Sequence, residues 1–132
     1  MISSEIISAQ EEARLALAGC ASLLNRRLTH ALVFDIGGGS TELMWVRLDR
    51  GVPEHIEAWA SLPFGVVTLT ETEDVALSSL AGYERLVAAL AEQFRPFETT
   101  CRLEGRIRTR KMQMLGTSGT VTTMGAAHLG LR

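Results

Sequence analysis

Ala31-Leu32-Val33-Phe34-Asp35-Ile36-Gly37-Gly38-Gly39-Ser40-Thr41-Glu42-Leu43-Met44-Trp45-Val46-Arg47-Leu48 contains two apolar runs on either side of three consecutive glycines. Ala31 to Ile36 is short, almost unbroken in its apolar character and flanked by turn residues, the pattern of a strand covered on both faces. Thr41 to Leu48 reads as a second strand, ending at the turn residues Asp49-Arg50-Gly51-Val52-Pro53. Together they form a hairpin with a glycine tip. A third strand follows over Glu54 to Leu62, where Ile56, Ala58, Ala60 and Leu62 alternate with His55, Glu57, Trp59 and Ser61. Pro63 ends it.

Working outward, Ser8 and Glu11 have the spacing of a capping box and open a helix over Ser8 to Leu24. Ala13, Leu17, Cys20 and Leu24 give that helix a buried face, and Asn25-Arg26-Arg27 is its polar exit. On the other side of the hairpin, Gly65 to Glu71 reads as a short helical turn. A longer helix over Val75 to Phe94 lines up Leu80, Tyr83, Val87, Leu90 and Phe94 in one stripe, and Pro96 closes it. Glu98 to Lys111 is polar and basic and reads as a surface connection. Met112 to Leu115 is a short buried strand, Gly116-Thr117-Ser118-Gly119 a loop, and Thr120 to Leu129 a helix.

The order is helix, three strands, helix, strand, helix, which fits an α/β fold with a mixed sheet: three antiparallel N-terminal strands, then alternation with helices. The 132 residues are one domain's worth of sequence, 46% hydrophobic, with 13 basic and 15 acidic side chains for a net charge of −2. That balance excludes a generically basic nucleic-acid binder and an acidic disordered tail. Cys20 and Cys101 are too few for a secreted disulfide framework and read as reduced thiols. With no signal-peptide pattern at Met1-Ile2-Ser3-Ser4-Glu5 and no long apolar run, a cytoplasmic protein without membrane contact is expected.

Glycines at a strand turn allow close approach of backbone amides to an anion, and Ser40 and Thr41 add hydroxyl donors. Asp35 and Glu42 bracket this turn and suit a hydrated Mg²⁺ that offsets phosphate charge. A bare triple glycine is also met in a tight hairpin with no ligand. Gly116-Thr117-Ser118-Gly119-Thr120 leads into a helix, whose first amides and dipole favour phosphate, although a serine/threonine cap accounts for it equally well. It is neither a Walker A loop nor a dinucleotide fingerprint. Glu11 serves the capping box, while Glu12 lies about 100° further round the helix and is free to face another partner. Taken alone, Glu12 reads as a solvated carboxylate. His30, His55 and His128 lack zinc-ligand spacing, the basic stretch Arg102 to Lys111 reads as solvated, and Trp45 and Trp59 as packed against the sheet.

Together, Ile7-Ser8-Ala9-Gln10-Glu11-Glu12-Ala13-Arg14-Leu15, Asp35 to Leu43, Ser61-Leu62-Pro63-Phe64-Gly65 through Thr70-Glu71, and Gly116 to Thr120 resemble the exopolyphosphatase and guanosine-pentaphosphate phosphatase family. The resemblance spans nearly the whole chain and implies an actin-like, ribonuclease-H-like domain. By this resemblance Glu12 is the general base, and Asp35 and Glu42 help to place Mg²⁺. Gly37, Gly38, Gly39, Ser40 and Thr41 hold phosphate groups, and Gly116, Thr117, Ser118, Gly119 and Thr120 face nucleotide or distal phosphates. Arg14 either orients Glu12 or sits on the surface.

The resemblance also implies a preceding lobe with a second phosphate hairpin. The chain is therefore expected to be a second-lobe fragment, a single partial domain over residues 1–132, inactive or nearly so alone. The implied substrate is inorganic polyphosphate or guanosine pentaphosphate. Two other readings stand beside hydrolysis: a non-catalytic nucleotide- or phosphate-binding module of the actin-like superfamily, and a lobe serving mainly as a homodimer surface.

Overall fold

A computed structural model describes residues 7–49, 55–72 and 78–131. Helix α1 (Ala9–Cys20) starts behind Ser8, whose hydroxyl accepts the Glu11 amide. A 3₁₀ turn, Ala21–Leu23, follows it and accounts for the last part of the expected longer helix. Strands β1 (His30–Ile36), β2 (Thr41–Arg47) and β3 (His55–Leu62) are antiparallel, and β4 (Met112–Thr117) runs parallel to β1. The sheet order is β3-β2-β1-β4. The mixed sheet expected from the order of elements is thus the observed one. The turn expected at residues 49–53 and the start of the third strand at Glu54 lie largely outside the described residues.

Alternation along each strand sends side chains to two faces. On one face Ala31, Val33, Met44 and Val46 pack beneath Ala13, Leu17 and Cys20 of α1, with Leu24 and Leu48 at the margin. On the other face Leu43 and Trp45 pack with Phe97, Cys101 and Leu103. A bulge between Trp45 and Val46 breaks the β2–β3 register. It splits the expected alternation in β3, because Ile56 joins the α1 face while Ala58, Ala60 and Leu62 join the opposite one. An extra residue in one strand of a pair has this effect.

Helix α2 (Val66–Thr72) matches the short turn expected near Gly65, and α3 (Leu80–Cys101) matches its expectation over Leu80 to Phe94 but not at its end or in its buried face. The Ser79 hydroxyl caps it at Gly82, and the expected start at Val75 lies outside the described residues. It passes through Pro96 and ends at Cys101. Proline removes one helical hydrogen bond and crowds the preceding turn. Burial of Phe97 and Cys101 beyond it holds the helix together. The expected buried stripe is also corrected: Leu80, Tyr83 and Val87 are 74%, 53% and 47% exposed, and core contact begins only near Phe94.

The expected surface connection after Pro96 contains the end of α3 and a further helix, α4 (Leu103–Arg108). Arg102 joins the two with a left-handed backbone, φ 52°. β4 continues through Gly116 and Thr117 directly into α5 (Ser118–Leu129), so the expected Gly116–Gly119 loop is a strand end and a helix start. Among the described residues no helix is long and apolar enough to cross a membrane. Cys20 and Cys101 are buried thiols, and neither is in a disulfide.

Candidate active site

The hairpin tip and α1 meet over one end of the sheet. Ile36 pairs with Thr41 and Asp35 with Glu42, and the Gly37 amide donates to the Ser40 carbonyl at 3.0 Å to close the turn. The glycines of this tip keep ordinary negative φ values, since Gly130 is the positive-φ glycine of the described residues. What they allow is close approach. The α2 amides of Val66, Val67 and Thr68 donate to the carbonyls of Gly37 and Gly38 at 2.9–3.2 Å. Gly65 lies against the same peptide, where an added Cβ would come within 2.6 Å of the Gly38 carbonyl carbon. With the carbonyls engaged by α2, the amides of Gly38 and Gly39 have no backbone acceptor among the described residues.

Glu12, Ala13 and Ala16 of α1 face Asp35, Gly37, Gly38, Ser40, Glu42 and Met44 across a cleft of about 250 Å³. Asp35 and Glu42 fall on the α1 face because they sit two residues from the buried Val33 and Met44. Glu12 is on the exposed side of its helix, one position before the buried Ala13, and this phase turns it toward the cleft. Each strand carboxylate has a hydroxyl neighbour: Thr117 donates to Asp35 Oδ2 at 2.9 Å, and Ser61 to Glu42 Oε1 at 3.1 Å. Neither contact is visible in local sequence, because each joins different strands. The Arg14 guanidinium lies 3.8 Å from Glu11, not beside Glu12.

Several expected phosphate ligands have other work for their side chains. Thr41 is buried and its hydroxyl donates to the Phe64 carbonyl at 2.8 Å. Gly116 is a packing residue, since a Cβ there would meet Val121 and Phe34 at 2.6–2.8 Å. The Ser118 hydroxyl donates to the Ile36 carbonyl at 2.9 Å. Gly119 and Thr120 lie in the first turn of α5, beside the end of β1 but outside the lining of the α1 cleft.

No three His, Cys, Asp or Glu side chains among the described residues converge into a metal cage. Asp35 and Glu42, opposite one another in the hairpin, provide two hard oxygen donors. That set fits Mg²⁺, which keeps several waters and is completed by phosphate oxygens.

A second polar cluster lies on the far face. His30 stacks on Trp45 at 4.9 Å between centroids, and the Arg106 guanidinium sits 5.3 Å from the Trp45 ring. His30 Nε2 is 3.1 Å from Arg106 Nη1 and 3.4 Å from Glu57 Oε2. Burial, then the Arg106 charge, lowers the His30 pKa, and Glu57 opposes them. His30, for which a surface or capping role is expected, is half-buried and packs on Trp45 at this face.

Comparison with known proteins gives a consistent result. The model of the Ppx/GppA phosphatase family matches residues 2–128. Exopolyphosphatase 2 of Mycobacterium tuberculosis (strain CDC 1551 / Oshkosh) is 30% identical over 132 residues, covering 93% of this chain and 35% of that protein. Retrograde regulation protein 2 of Saccharomyces cerevisiae is 35% identical over 65 residues, 49% of this chain and 11% of its own length. The crystal structure of an exopolyphosphatase-like protein superposes with a TM-score of 0.71 at 30% identity, covering 96% of this chain and 38% of that one. The chain thus spans about a third of the length of these exopolyphosphatase relatives.

Proposed function

The chain belongs to the Ppx/GppA phosphatase family and has its actin-like fold, and from that premise we propose that it forms one wall of a phosphoanhydride hydrolase site. The substrate class is inorganic polyphosphate or guanosine pentaphosphate, from which a terminal phosphate is released. One observation carries the reading: Glu12, Asp35, Glu42, Ser40 and the amide-bearing glycine tip line a single cleft, although α1 and the hairpin are separate elements.

Phosphoryl transfer asks little covalent chemistry of a protein; it needs positioned water, a base and compensation of charge on the phosphoryl oxygens. Glu12 accepts the proton of the attacking water. The amides of Gly38 and Gly39, with Ser40, bind the terminal phosphate, and Asp35 and Glu42 hold a hydrated Mg²⁺. Bound there, Mg²⁺ supplies charge neutralisation at the phosphate oxygens. Thr41 contributes by fixing the tip to Phe64. Gly116 to Thr120 serve the distal part of the substrate, through the first amides of α5 and not through the Thr117 and Ser118 hydroxyls.

A preceding lobe supplies the opposite wall, so the 132 residues alone release phosphate at a small fraction of the rate of a two-lobed protein. In a two-lobed protein carrying this chain, Glu12→Gln lowers phosphate release from long-chain polyphosphate about 10²–10⁴-fold, the range for loss of a general base. Near-normal turnover in Glu12→Gln overturns the assignment of the base and favours a module that binds phosphate without hydrolysing it.

A further inference from the structure

We infer that Thr117 is a positioning residue for Asp35, its hydroxyl committed to holding that carboxylate in the cleft and not to binding phosphate or capping its own helix. The inference rests on the reading of Asp35 as a group of the hydrolytic site. Thr117 stands at the N-cap position of α5, where a threonine hydroxyl ordinarily accepts an amide of the first helical turn. Here it makes no such bond. Parallel pairing of β1 with β4 instead sets Thr117 abreast of Asp35.

A hydroxyl has one proton to donate. Two acceptors compete for it, the Phe34 carbonyl at 3.3 Å and Asp35 Oδ2 at 2.9 Å. The carboxylate is nearer and charged, so it takes the proton. The next residue reinforces the arrangement. Ser118 has a left-handed backbone, φ 77°, which is costly for a residue with a Cβ, and its hydroxyl donates to the Ile36 carbonyl. Two successive hydroxyls therefore pin the β4–α5 junction to β1, one at the Asp35 carboxylate and one at the Ile36 carbonyl. With Oδ2 tied, the Asp35 carboxylate is held at the cleft it shares with Glu12 and Glu42.

The test compares the wild-type chain with Thr117→Val, which keeps the shape and loses the hydroxyl, and Thr117→Ser, which keeps the hydroxyl. The first readout is the Asp35 χ1 population from NMR couplings; the second is Mn²⁺ affinity from water proton relaxation. Thr117→Val converts one dominant Asp35 rotamer into a mixture and weakens Mn²⁺ binding three- to tenfold, and Thr117→Ser restores both. If Thr117→Val does not fold, Thr117→Ala provides the hydroxyl-free comparison. An unchanged single Asp35 rotamer in a folded hydroxyl-free variant overturns the inference. Equal Mn²⁺ binding by wild type and Asp35→Asn overturns the metal role of Asp35, while the rotamer populations still decide the role of Thr117.

Discussion

At Gly65 there is no room for a methyl group, because the position it would take is filled by the Gly38 peptide. Gly65→Ala should therefore lower stability by about 1–3 kcal/mol, the usual cost of overpacking, measured by urea unfolding. His30 gives a second expectation. Its pKa is lower in the folded chain than in the unfolded one, so below about pH 6.5 the unfolded chain binds the extra proton first. Stability falls as pH drops from there through the folded pKa, and His30→Phe removes that part of the slope in urea melts taken across pH 5–7. At this scale, the separation of Glu12 from the capping Glu11 by helical phase, and the bracketing of the turn by Asp35 and Glu42, are readable from spacing alone. The hydroxyl partners are not, since Thr41, Thr117 and Ser61 find acceptors 23, 82 and 19 positions away.

Elements were legible where the pattern was governed by local geometry. The capped start of α1, the glycine hairpin and the short α2 follow from capping, periodicity and turn residues, and the structure has all three. The third strand followed its pattern only in part, since the register shift is set by the neighbouring strand. The helical stretch Leu80 to Phe94 of α3 follows its pattern, but its buried face and its end do not, because two local rules point the wrong way. Its apolar stripe at Leu80, Tyr83 and Val87 is exposed, and the proline expected to end it is internal. Burial of Phe97 and Cys101 outweighs the proline's local cost, so Pro96→Ala should restore a backbone donor and raise stability by up to about 3 kcal/mol. Leu80→Ser, by contrast, should change stability by less than about 0.5 kcal/mol, as expected for an exposed site. Thermal melts of both variants check this contrast.

On the scale of the molecule the two sheet faces are unequal. α1 provides the buried helical cover on the cleft side, whereas the opposite core draws on α3 and α4. Leu17, 5% exposed, is central to the first of these, and Leu17→Ala should cost about 2–5 kcal/mol, read from urea unfolding. Loosening α1 in this way should also move Glu12 away from the glycine tip, which chemical-shift changes at Gly37–Ser40 would reveal. The parallel partnership of β1 with β4 has a separate outcome in time. The β1–β2 hairpin closes across a four-residue tip, but Thr117 reaches Asp35 only after an 82-residue separation is bridged. Closing so long a loop is entropically slow relative to hairpin formation. During folding the glycine tip is therefore assembled before Asp35 is locked, and the last event to mature the cleft is the arrival of β4.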